Sequence, residues 1–114
     1  MNNRVTLTGK LLEDPKVRTL EFRGGTSEIV SLWLEVPSGE RKDRFTVEIF
    51  CPAQQEAAKA MRKGVLAEVT GVLRHDRWKD RATSRWVGKV FVAIDPAEGK
   101  VKSLGMTDAD SEAA

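Results

Sequence analysis

The segment "RVTLTGKLL", residues 4–12, alternates polar and apolar side chains from Arg4 to Leu11. Because successive side chains of a β-strand point to opposite faces, this alternation predicts a strand with one face in a core and the other in water. Gly9 stands on the apolar side in mid-strand, which indicates a sharp bend or the close approach of another backbone. The chain is therefore predicted to start with a half-buried strand.

Four later segments return to the same period of two and are predicted to be strands. The polar turn "PSGERKD", residues 37–43, should join two of them as a hairpin. We take "VRTLEF", residues 17–22, as an extension of the first strand. The final strand is apolar on both faces, so it is either buried within the domain or packed against another subunit. The four segments are "EIVSLWLEV" (28–36), "RFTVEIF" (44–50), "VLAEVTGVLR" (65–74) and "WVGKVFVAI" (86–94).

One segment, "PAQQEAAKAMRKG" (residues 52–64), has the pattern of a short helix. Pro52 suits the first helical position, and Gly64 suits the residue just past the end. Five strands with one short α-helix between the third and the fourth predict an all-β fold, a five-stranded OB barrel. This domain should span residues 1–105, and the acidic stretch 106–114 should be a disordered tail.

The composition excludes several classes of protein. Hydrophobic residues make up 40% of the chain and charged residues 32%, and no apolar run reaches the length of a membrane span. The N-terminus lacks the pattern of a secretory signal, so a cytoplasmic location is expected. A single cysteine, Cys51, and a single histidine, His75, offer no disulfide and no recognisable catalytic constellation. We expect no catalytic residues, no metal and no cofactor.

The segment "RHDRWKDRATSRW", residues 74–86, is the predicted loop between the last two strands and holds two of the three tryptophans. Six bases and two acids lie between Arg74 and Lys89, although the net charge of the chain is only +2. A basic patch is typical of a phosphate-binding surface, but a solvated polar loop would have the same composition. Exposed rings in such a patch can stack on nucleic-acid bases while the cations neutralise phosphates.

These patterns select candidate contacts for single-stranded nucleic acid. Trp78 has no apolar neighbours in the sequence that would bury it, which favours a binding role. The other rings have structural alternatives: Phe50 beside the helix, Trp33 at a subunit contact, and Trp86 as a cap of the barrel. The stacking candidates are Trp78, Phe50, Trp33 and Trp86, and the phosphate-contact candidates are Arg44, Arg74, Arg77, Lys79, Arg81, Arg85 and Lys10.

Most of the chain resembles the bacterial single-stranded DNA-binding protein family. The matching pieces are "NNRVTLTGKLLEDPKVR", "FTVEIF" before an alanine-rich helix ending in "RKG", "AEVTGVLRHDRWKD" and "KVFVAI". The resemblance implies an OB fold that assembles into homodimers or homotetramers and wraps single-stranded DNA. It also implies that Trp78 and Phe50 occupy stacking positions.

The chain departs from this family in two places. Another stacking tryptophan of the family would fall near Arg44, where no aromatic stands, so either Trp33 compensates or one stacking platform is missing. Family members usually carry a long linker and an acidic-hydrophobic tip that recruits replication and repair proteins, whereas this chain ends in "DADSEAA". In this respect it is similar to primosomal replication protein N, a tail-less dimeric relative with the same fold.

Three functions follow from these observations. The first is a non-enzymatic, nucleoid-associated binder of single-stranded DNA that supports replication, recombination or repair. The second is a primosomal restart factor that binds protein as well as DNA, with replication or primosome proteins as partners and the basic loop at that contact. The third is a subunit of an OB-fold enzyme or a tRNA-binding accessory. None of the three involves a membrane.

Overall fold

The computed structural model describes residues 2–106, which form seven β-strands and one α-helix. Strand residues alternate between the two sides of the sheet, as the sequence pattern predicts. The elements are β1 (Val5–Leu11), β2 (Lys16–Phe22), β3 (Gly25–Ser38), β4 (Arg41–Ile49), α1 (Pro52–Lys59), β5 (Val65–Lys79), β6 (Trp86–Ile94) and β7 (Lys100–Met106).

Five of these strands close into a ring. β1 pairs with β3, β3 with β4, β4 with β6 and β6 with β5, and β5 pairs again with β1. The pairings are antiparallel except for β4–β6, which is parallel from Val47 opposite Val92 to Ile49 opposite Ile94. This order, with α1 between β4 and β5, is the one expected of an OB barrel, so the predicted fold class is confirmed.

The hydrophobic core lies inside the ring, where alternate residues of each strand point. α1 contributes Ala58, and Met61 follows just after the helix. Replacing one leucine of such a core by alanine usually costs about 2–5 kcal/mol, so the interior of the ring is the main source of stability. The fully buried core residues of the ring strands include Leu11, Val30, Leu32, Leu34, Val47, Ile49, Val69, Val92 and Ile94.

Two glycines allow neighbouring strands to approach closely. A Cβ atom at Gly9 would lie 2.6 Å from the carbonyl oxygen of Glu35 on β3, which confirms the predicted close approach of another backbone. A Cβ atom at Gly71 on β5 would overlap the carbonyl oxygen of Ala93 on β6. Glycine is required at both positions because a backbone atom cannot move aside as a flexible side chain can.

α1 is attached to the sheet through two glutamines. The buried amide Nε2 of Gln55 donates hydrogen bonds of 2.8 Å to the carbonyl oxygens of Glu28 and Ile49. Oε1 of Gln54 accepts a hydrogen bond of 2.8 Å from the backbone N–H of Val101 on β7. Pro52 opens the helix as predicted, but α1 ends at Lys59, before Gly64.

The prediction that residues 17–22 extend the first strand is wrong. β2 starts at Lys16, after a break at residues 12–15, and pairs along its whole length with β3 rather than continuing β1. Pro15 in the break cannot donate to a strand ladder, so the first strand ends before it. The β2–β3 hairpin therefore lies beside the ring as an additional pair of strands.

Residues 75–79 also differ from the prediction, because they belong to a strand and not to a loop. β5 continues to Lys79 and pairs with β6 as far as Trp86. β7, which was not predicted, pairs with β5, and its last residue is Met106, the first residue assigned to the tail. The rest of the expected tail, residues 107–114, lies outside the described residues.

Candidate nucleic-acid interface

The strands β2, β3, β4, β6 and β5 lie side by side, and we refer to their surface that points away from the core as the outer face. Residues paired across neighbouring strands share a face, so the register identifies its members. Trp33 on β3 lies opposite Thr46 on β4. Trp78 on β5 lies opposite Val87 on β6.

Three of the predicted stacking residues lie on the outer face. Trp33 is half-buried on β3, Phe50 is exposed directly after β4, and Trp78 is exposed near the end of β5. Trp78 is 48% exposed. Rings that are exposed in the free protein can stack on bases without a rearrangement of the core.

Two shallow clefts lined by residues of the outer face adjoin these rings. The larger, of about 480 Å³, lies between Phe50 and Arg74 and has the buried ring of Phe91 in its lining. The smaller, of about 350 Å³, lies beside Trp33 and is also lined by Lys16 and Thr46. Each cleft therefore combines an aromatic surface with at least one cation.

Three predicted phosphate contacts share this face with the rings. Arg44 is exposed, and its Nε lies 3.6 Å from Oε2 of Glu35. Arg74 pairs in register with Phe91, and Lys10 pairs in register with Glu35 at the β1 border of the face. The structure thus brings Trp33, Phe50 and Trp78 together with Arg44, Arg74 and Lys10.

The other predicted residues of β5 and β6 lie on the opposite side of the β5–β6 hairpin, which we refer to as the back face. Lys79 pairs in register with Trp86, and Arg77 pairs with Gly88. The guanidinium of Arg77 lies 5.5 Å from the centre of the Trp86 ring, a cation–π contact. Trp86 is more exposed than Trp78, but it faces away from the three rings of the outer face.

Arg81 and Arg85 lie in the turn at the tip of the hairpin. The carboxylate of Asp80 accepts hydrogen bonds from the backbone N–H groups of Ala82 and Thr83, which fixes the shape of the turn. Both arginines are exposed beyond the paired strands, next to the end that carries Trp78.

Three residues of the outer face were missed by the sequence analysis: Arg18, Glu48 and Lys89. Nη2 of Arg18 and Nζ of Lys89 each donate a 3.1 Å hydrogen bond to Oε2 of Glu48, which is buried. Lys89 also lies 5.2 Å from the centre of the Phe91 ring. Period-two counting places Lys89 beside Phe91 on the same side of β6, and this signal could have identified it.

A further ion pair holds the start of β1 to the turn after β6. Nη1 of Arg4 lies 2.7 Å from Oδ1 of Asp95. The hydrogen bond from Arg4 lowers the pKa of the Asp95 carboxyl below its ordinary value, assisted by the backbone N–H of Glu98. The same pair raises the pKa of Arg4.

Two kinds of feature are absent from the described residues. Within residues 2–106, no group of three or more histidine, cysteine, aspartate or glutamate side chains is arranged to hold a metal ion. Over the same range, no helix combines the length and the hydropathy of a membrane span.

The ring of five strands and its outer face of exposed rings and cations define the chain as an OB-fold domain with the surface chemistry of a nucleic-acid binder. The model of the Single-strand binding protein family matches residues 2–95. The chain belongs to this family.

Similar proteins agree with this assignment. The single-stranded DNA-binding protein of Thermosynechococcus vestitus is 39% identical over 82 residues, which cover 71% of this chain and 68% of the relative. Single-stranded DNA-binding protein 1 of Nostoc sp. is 31% identical over 96 residues, which cover 84% of this chain and 81% of the relative. A solved structure, the Plasmodium falciparum SSB complex with ssDNA, has the same fold, with a TM-score of 0.77 at 18% identity over 91% of this chain and 96% of that chain.

Proposed function

We propose that this protein binds single-stranded DNA, largely without sequence preference, in replication, recombination or repair. The observation that carries the proposal is the placement of Trp33, Phe50 and Trp78 on one face together with Arg44 and Arg74. Every base has a π-face and every nucleotide has a phosphate, so this chemistry does not read sequence. The protein acts as a binder and not as an enzyme, in the cytoplasm on nucleoid DNA.

Trp33 is proposed as the third stacking platform. The family's tryptophan near Arg44 is missing, but Trp33 lies opposite Thr46, which is two residues from Arg44 on the same face. The cleft of about 350 Å³ beside Trp33 provides room for a base. A strand of DNA would therefore contact β3 where other members of the family use the start of β4.

The proposal is tested by titrating the protein with oligo-dT and following tryptophan fluorescence. Stacking should quench the emission, and the binding constant should fall as salt is raised from about 50 to about 200 mM, because bound phosphates release counterions. Duplex DNA of the same length is the control and should bind more weakly. A flat titration at low salt, or equal affinity for the duplex, would contradict the proposal.

We also propose that two or more copies associate through the back face. The sequence left open whether the doubly apolar final strand is buried or packs on another subunit, and within one chain only some of its apolar residues are buried. Phe91 and Ala93 are buried within the chain, whereas Val90 and Trp86 are exposed on the back face near the exposed Leu73. An exposed apolar cluster of this kind is typical of an interaction surface.

Light scattering tests this association. We expect a mass that is a multiple of 12.7 kDa, and we expect Val90→Asp to shift it towards the monomer. Val17→Asp is the matched control, because Val17 is a comparably exposed valine on β2. A wild-type monomer at working concentration would count against the proposal, as would equal effects of the two variants.

A further inference from the structure

The centre of the outer face contains a buried carboxylate between two cations. Glu48 on β4 is only 5% exposed. Its Oε2 accepts hydrogen bonds from Arg18, which reaches across from β2, and from Lys89 on the neighbouring strand β6. These three side chains belong to three different strands, so the fold itself assembles the cluster.

The two cations remain accessible although they are paired. The side chain of Arg18 is 56% exposed and that of Lys89 is 39% exposed, whereas the carboxylate lies beneath them. An arginine has five N–H donors and a lysine has three, so each cation keeps donors that a phosphate oxygen can accept from while it holds Glu48. Arg18 and Glu48 line the same cleft as Phe50 and Arg74, where DNA is proposed to bind.

The charge of Glu48 opposes that binding. A carboxylate is taken out of water at a cost that its two partners offset. The cluster presents one net positive charge, whereas the two cations alone would present two. A phosphate near Arg18 and Lys89 is attracted by both cations and repelled by the carboxylate underneath them.

We propose that Arg18 and Lys89 form a phosphate contact in which Glu48 acts as an internal counterion that limits the affinity for single-stranded DNA. This inference rests on the proposed function and adds a binding contact and an attenuating residue to it. The variant Glu48→Gln isolates the charge, because the amide oxygen of glutamine can still accept a hydrogen bond from Arg18 or Lys89.

The expected result is tighter binding of Glu48→Gln to oligo-dT. If the freed charge neutralises one more phosphate, the slope of log K against log salt becomes steeper by about 0.7. The ratio of the binding constant of the variant to that of the wild type should then increase roughly threefold when the salt is lowered from about 200 to about 50 mM. Arg18→Ala and Lys89→Ala should each weaken binding and make the slope shallower by about 0.7.

Glu98→Gln is the matched control for net charge. Glu98 lies in the turn after β6, its side chain is 75% exposed, and its nearest cation is Arg4 at 3.4 Å, so this variant should bind as the wild type does. Thermal melting of every variant checks that the fold is kept.

The outcomes separate the two proposals. Failure of the wild type to bind oligo-dT would overturn the proposed function and this inference with it. If the wild type binds but Glu48→Gln has the affinity and salt slope of Glu98→Gln, only the internal counterion is overturned. Unchanged binding by Arg18→Ala and Lys89→Ala would overturn the phosphate contact, and it would do so even if Glu48→Gln failed to fold.

Discussion

The two tryptophans of the β5–β6 hairpin provide the sharpest test of the outer face. They lie close in sequence and in space, but Trp78 is on the outer face with Phe50, while Trp86 is on the back face beneath Arg77. Replacing each by alanine removes the same side chain from the same hairpin. We expect Trp78→Ala to lose affinity for single-stranded DNA and Trp86→Ala to keep it.

The size of the loss follows from the exposed area of Trp78. A tryptophan can bury roughly 150–250 Å², and Trp78 is 48% exposed in the free protein. A stacked base can therefore cover at most about 70–120 Å², which corresponds to about 2–3 kcal/mol at about 25 cal/mol per Å². Measured stacking contributions of about 1–3 kcal/mol agree with this limit. A value of about 2 kcal/mol corresponds to about 30-fold in the dissociation constant.

Fluorescence anisotropy of a labelled oligo-dT measures both variants without relying on their remaining tryptophans. The oligonucleotide should span one domain, about 10 nucleotides, so that an effect of Trp86 on association between copies does not enter the affinity. Equal losses in Trp78→Ala and Trp86→Ala would refute the assignment of the two faces. An unchanged dissociation constant for Trp78→Ala would remove that residue from the site.

Three further predictions concern stability and the third platform. Gly71→Ala should lower the free energy of unfolding in urea by about 1–3 kcal/mol or more, because the new Cβ atom overlaps the backbone of Ala93, and an unchanged midpoint would contradict this. Because Arg4 lowers the pKa of Asp95, their pairing stabilises the fold at pH values above the ordinary carboxyl pKa. This stabilisation is lost as the pH falls through the lowered pKa of Asp95. Melting temperatures of wild type and Asp95→Asn should therefore differ most near neutral pH and converge in acid, and a pH-independent difference would argue against the pairing. Trp33→Ala should weaken oligo-dT binding by about 1–3 kcal/mol in the same anisotropy assay. If the variant folds less well but its folded molecules bind with unchanged affinity, Trp33 has a structural role and is not a stacking platform.

Period-two alternation was sufficient to predict the ring and much of the outer face. It placed Trp33 and Phe50 on the sides of their strands opposite the core, where the structure has them, because the pleat fixes the direction of each side chain. It failed between Arg74 and Trp86, where the density of charge favoured a loop. Strand pairing continues there beyond the core, where the side chains on both faces of the chain are exposed and few of them are apolar, so the period of two is hidden.

The cluster around Glu48 could not be predicted for a different reason. Arg18, Glu48 and Lys89 are distant in sequence, and their contact depends on β2 pairing with β3 and on β4 pairing in parallel with β6. A glutamate on the polar side of a half-buried strand is expected to be solvated, as the sequence pattern of β4 suggests. Burial of Glu48 results from the strands on either side of it.

The pairing of charges across the outer face also limits how strongly salt can affect binding. The face and its clefts hold seven cations and five carboxylates: Lys10, Lys16, Arg18, Lys42, Arg44, Arg74 and Lys89, with Glu13, Glu35, Glu48, Glu68 and Asp76. Seven independent phosphate contacts would give a salt slope of about −5, whereas the net charge of two would give about −1.4. A short oligo-dT on one domain should therefore show a slope near the smaller value if the carboxylates still offset the cations in the complex. A slope near −5 would mean that the carboxylates no longer offset the cations in the complex, and Glu48→Gln would then leave the slope unchanged.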